Sequence, residues 1–67
     1  MTLTINGETQ TVPDTIENVR QLLEYLHIQN RIVIVEVNRE ILQKEQHAVT
    51  RLSNGDTIEL VHFVGGG

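Results

Sequence analysis

Only one stretch of this chain carries apolar residues at helical spacing, and it limits the fold more than any other feature. Ile16, Val19, Leu22, Leu23 and Leu26 follow at offsets of three, three, one and three, the period that lines up side chains on one helix face. Glu17, Arg20, Gln21 and Glu24 fall on the other side. Asp14 and Glu17 stand at capping-box spacing, so the helix is expected to open at Asp14-Thr15. Burying each apolar side chain of the stripe is worth roughly 1.5–3 kcal/mol before entropy. The other periodic segments have strand character. One helix must therefore cover one face of a sheet.

The strands read in order around it. Leu3-Thr4-Ile5 alternates and meets Asn6-Gly7, the pair that supplies positive φ at both centres of a type I′ hairpin turn. Glu8 to Val12 returns, and Pro13 ends the strand for want of a backbone donor. After the helix and the connection His27 to Arg31, the run Ile32-Val33-Ile34-Val35-Glu36-Val37 is β-branched almost throughout and predicts a central strand. Asn38-Arg39-Glu40 is expected to turn into a short edge segment, Ile41-Leu42. Gln43 to Gln46 is expected to form a helical turn and His47 to Thr50 a brief extended piece. Leu52 to Asp56 is a turn cluster before a final strand, Thr57 to Val64.

This order predicts an α+β chain: a mixed sheet of four to five strands with one main helix on one face, the first and last strands adjacent and parallel near its centre. That is a β-grasp, the ubiquitin-like architecture. The domain is expected to run over residues 1–64, with 65–67 as a flexible glycine tail ordered only in complexes. Three glycines lose maximal backbone entropy on ordering, roughly 1–2 kcal/mol per residue.

With 67 residues, such a chain buries only about 60% of its unfolded surface. It can hardly spare core for a deep substrate cavity, which favours a carrier or binding module over an enzyme. There is no cysteine, so disulfides, thiolate metal sites and a cysteine nucleophile are excluded. A small domain without such staples is expected in the cytoplasm. No signal peptide and no membrane span is expected, and a formal charge of −4 argues against nucleic acid. His27, His47 and His62 are scattered without metal-ligand spacing and read as surface or boundary residues. Ser53 sits in a turn cluster without a nucleophile motif. No bound metal or cofactor is expected.

The chemistry that remains lies in Phe63-Val64-Gly65-Gly66-Gly67. The glycines abut the last strand directly, and the reacting group would be the α-carboxylate of Gly67. A carboxylate resists nucleophiles until activated, usually by adenylation with ATP. A side chain at either of the last two positions would obstruct a narrow activating channel, whereas glycine tolerates close approach and unusual φ/ψ.

The ending Val61-His62-Phe63-Val64-Gly65-Gly66-Gly67 and the stretches Ile32 to Ile41 and Asn54 to Val61 resemble the family of thiamine-biosynthesis sulfur carriers over essentially the whole chain. The resemblance implies that a ubiquitin-activating-type enzyme adenylates Gly67 with ATP. The acyl group becomes a thiocarboxylate and donates its sulfur to thiazole synthase. Gly65 and Gly66 would thread the partner's channel, Gly66 as the spacer. Any persulfide in the transfer belongs to a sulfur-donating partner protein. The chain would then be a co-substrate rather than an enzyme. Alternatives are a carrier of the molybdopterin synthase small-subunit type, a ubiquitin-like modifier, or an interaction domain with an inert tail.

Partner docking is expected on the outer sheet face. If Ile58 and Leu60 face the helix, alternation turns Val61 and Phe63 outward. On the central strand Val33, Val35 and Val37 would face inward, leaving Ile32 and Ile34 with Glu36 outside. That run is apolar on both faces, so its phase stays open at this stage.

Overall fold

The computed structural model describes residues 1–62 and forms a five-stranded mixed sheet, order β2-β1-β5-β3-β4, packed against one helix. The strands are β1 (Thr2–Ile5), β2 (Glu8–Thr11), β3 (Val33–Val37), β4 (Glu40–Leu42) and β5 (Thr57–His62), and the helix α1 is Val19–Tyr25. β1 pairs with β2 antiparallel and with β5 parallel, while β5, in the centre, pairs with β3 antiparallel. The β-grasp arrangement is thus present as expected. Phe63, Val64 and Gly65 to Gly67 lie outside the described residues, and with them the expectations that the last strand runs to Val64 and that 65–67 form a flexible tail.

Helix α1 begins later than the capping-box spacing of Asp14 and Glu17 predicts. Its N-cap is Asn18, whose Oδ1 accepts from the Gln21 amide at 2.9 Å, while Gln21 Oε1 accepts from the amides of Asn18 at 3.3 Å and Glu17 at 2.6 Å. Asp14 is engaged elsewhere: its carboxylate receives the Met1 ammonium at 2.6 Å. That ammonium also holds the Asp14 carboxyl below the usual carboxylate range, first through the hydrogen bond and then through its charge. Ile16 still reaches the core, from a turn closed by its amide on the Pro13 carbonyl at 3.1 Å. The helix stops in a Schellman pairing, Ile28 N to Leu23 O and His27 N to Glu24 O, both at 3.0 Å. His27 occupies the left-handed position there, φ 62°.

The segment His47 to Thr50 is turned, not extended. Its carbonyls are drawn to the open end of α1, where the first amides lack partners within the helix. The His47 carbonyl accepts from Arg20 N at 3.0 Å and that of Thr50 from Val19 N at 3.2 Å. The polar stretch before it forms a short 3-10 turn, Lys44–Gln46. The β3–β4 loop is shorter than expected: Glu40 already pairs with Val37, so Asn38 and Arg39 alone make the turn, with φ of 50° and 72°.

The core joins Val19, Leu22 and Leu23 of α1 to Leu3, Ile5, Val35, Val37, Ile58 and Leu60 of the sheet. On β3 the phase is therefore valines inward. One side chain extends the pairing along β5 beyond the end of β1. β1 ends at Ile5, and Asn6 turns away with φ 49°. Its side-chain amide then continues the ladder, donating to Leu60 O at 3.1 Å and accepting from Leu60 N at 2.7 Å. Asn6→Ala loses both bonds, each worth about 0.5–1.5 kcal/mol, and puts a Cβ-bearing residue without a local hydrogen bond in the left-handed region. We expect a stability loss of about 1–3 kcal/mol in urea titration, with Asn6→Gly recovering only the backbone share.

Candidate functional site

The outer face of the sheet is divided. On the hairpin side it carries threonines: Thr2 and Thr4 of β1 sit opposite Thr11 and Thr9 of β2, and Thr57 of β5 pairs with Thr4. On the other side it is apolar. Ile34 of β3 lies directly opposite Val61 of β5, and Ile41 of β4 lies opposite Glu36. Ile32 is 76% exposed, Ile41 65%, Val61 53% and Ile34 43%. Monomeric proteins seldom leave so many neighbouring large aliphatics wet. Three of the expected docking residues are thus exposed: Ile34 and Val61 on the half of the sheet formed by β5, β3 and β4, and Ile32 just ahead of β3. Phe63, the fourth, lies outside the described residues, as do Gly65, Gly66 and Gly67.

Ile41 is an addition to that set. Its signal was present in the short apolar edge segment, but the three-residue strand gives too little alternation to assign a face. Glu36 and Glu59 are a second addition. They are register partners on β3 and β5, with Ile34 and Val61 paired two residues away on the same face. Only the pairing register, not either strand read alone, brings those carboxylates together.

An open cavity of about 450 Å³ near the end of α1 is lined by residues that include Leu23, Arg31, Ile32, Lys44 and His47. The Nε2 of His47 is buried without a hydrogen-bond partner. That burial, helped by Lys44 and opposed by Glu45, pushes its pKa down. Among the described residues there is no cluster of His, Asp and Glu that could hold a metal ion. No described helix is long and apolar enough to cross a membrane.

A sheet of this order, with its central strand leading toward a glycine end, is matched by known proteins along its whole length. Residues 2–67 match the ThiS family. The chain belongs to the ThiS family. It is 42% identical over 65 residues to the sulfur carrier protein ThiS of Bacillus subtilis (strain 168), covering 97% of this chain and 98% of that one. The crystal structure of a thiamine biosynthesis protein (ThiS) from Geobacter metallireducens superposes with a TM-score of 0.83 at 40% identity, each chain covered completely. A third relative differs in size. The chain is 40% identical over 67 residues to a thiazole synthase of Paramagnetospirillum magneticum (strain ATCC 700264 / AMB-1), of which it spans only 20%.

Proposed function

We propose that this ThiS-family chain is a sulfur carrier of thiamine biosynthesis that carries its sulfur as a thiocarboxylate on Gly67. The observation that carries the second half of this reading is the absence of cysteine from the sequence. A carrier must hold sulfur covalently, and no thiol is available to form a persulfide. The α-carboxylate behind Gly65 and Gly66 is the group that can take it up.

The chemistry is economical. A carboxylate oxygen of Gly67 attacks the α-phosphorus of ATP in a ubiquitin-activating-type partner, and pyrophosphate leaves. The outer sulfur of a partner's persulfide then attacks the acyl carbon and AMP leaves, giving an acyl disulfide. A second thiol of the partner, since this chain has none, attacks the partner's own sulfur of that bond, forming a disulfide in the partner and releasing the thiocarboxylate. ATP belongs to the activating enzyme, and the chain itself is a co-substrate rather than a catalyst. Gly65 and Gly66 present no Cβ to the channel that must surround the terminus. The acceptor is thiazole synthase, a reading supported by the thiazole synthase sequence that includes a segment like this whole chain. Docking through Ile32, Ile34, Val61 and Phe63 would present the tail to both enzymes in turn, in the cytoplasm where the thiocarboxylate escapes oxidation.

Intact-mass measurement on the chain purified from a host containing its partners tests this reading. The expected product carries sulfur in place of one oxygen at the C-terminus. A conjugate to a lysine of another protein, with no sulfur-bearing form, would replace it with the modifier reading.

A further inference from the structure

Glu36 and Glu59 stand directly opposite one another on adjacent antiparallel strands. Like charges in that position destabilise a sheet. A basic side chain beside them would relieve the repulsion, but the ion pairs among the described residues are Met1–Asp14, Arg20–Glu24 and Arg51–Glu17. Neither carboxylate has a cation of its own there. Around them lie Ile34, Val61 and Ile41, all exposed. On the other half of the same face the β1 and β2 register positions are threonines, Thr2 opposite Thr11 and Thr4 opposite Thr9. The repulsive pair therefore sits inside the apolar half, where a docking partner would remove it from water.

We propose that Glu36 and Glu59 together receive one cationic side chain, of the guanidinium class, from a thiazole synthase docked on Ile34, Ile41 and Val61. A planar guanidinium can bridge two carboxylates with separate N–H donors. Burial without that cation would strand two negative charges, so the pair also rejects acidic or purely apolar surfaces. The inference rests on the sulfur-carrier reading and deepens it: it gives the partner's chemistry at one spot and confines the footprint to β5, β3 and β4. Thiazole synthase is chosen over other occupants because a relative bearing that name includes a ThiS-like segment, so the two surfaces share one polypeptide.

The test is titration of the full chain with the thiazole synthase of its own organism, at low and high salt. Glu36→Gln with Glu59→Gln should weaken binding at least about tenfold and flatten its salt dependence. Their melting temperature should stay level or rise, since the repulsion is gone. Thr4→Lys with Thr9→Glu, on the hairpin half, should bind as the parent does. Unchanged affinity in the double glutamine variant, with the parent binding normally, overturns this inference and leaves the carrier reading intact. No binding by the parent chain overturns both. Lost affinity accompanied by a lowered melting temperature in the Gln variants assigns the pair to folding and also overturns it.

Discussion

Adding a single alanine after Gly67 is expected to abolish activation of this chain altogether, while its circular dichroism spectrum and melting temperature stay as they are. Adenylation needs a free carboxylate on an unhindered terminal residue. The extension moves that carboxylate one residue further along and gives it a Cβ. Gly66→Val is expected to act in the same way, because a β-branched side chain fills the channel and restricts φ. The fold should not register either change, because among the described residues twelve buried apolar side chains between Leu3 and Leu60 already form one core. ATP–pyrophosphate exchange with the cognate activating enzyme reads the effect directly. Full exchange by the alanine-extended chain would remove Gly67 from the reaction. Lost exchange in a correctly folded variant would place the whole chemical requirement in the tail.

The fold was legible in the sequence where two local signals agreed. Asn6-Gly7 announced its hairpin because both residues tolerate positive φ, and both adopt it, 49° and 83°. The Asn38-Arg39 turn does the same work at 50° and 72°, but Arg39 gives no such warning. Its cost is offset by Asn38, whose side chain accepts from Thr57 N and donates to Asp56, each at 3.0 Å. The helix start was misplaced for a related reason. Asp14 stands ahead of the stripe and Asn18 within it, each with a capping partner three residues on, and only tertiary structure assigns Asp14 to the Met1 ammonium. The turned segment His47 to Thr50 answers the unpaired amides at the start of α1, which no local pattern reveals. On the candidate site, alternation alone could expose Val61 but not decide β3. Its phase follows from Val35 and Val37 meeting Leu60 and Ile58 across the sheet. The juxtaposition of Glu36 with Glu59 needed that register as well.

Ile58→Ala is expected to cost more stability than any surface change in the chain. Ile58 is fully buried and stands at the sheet's centre, beside Ile5 on β1 and Val37 on β3. Its carbonyl also accepts the Asn6 amide at 2.9 Å, so the backbone there is held while the side chain is removed. A cavity bounded on two sides by paired strands collapses poorly, and such truncations cost about 2–5 kcal/mol. A domain of this length has about 3–10 kcal/mol in total. The variant should therefore lose a large share of its unfolding midpoint in urea, with Ile58→Val losing only about 0.5–1.5 kcal/mol. Activation should fall in proportion to the unfolded fraction and return when the chain is stabilised by its partner, because binding to the folded form alone draws the equilibrium back. That recovery separates a core lesion from the tail variants, whose loss of activation no excess of partner restores. A melting temperature near the parent's in Ile58→Ala would show that β5 does not anchor the core that presents the tail.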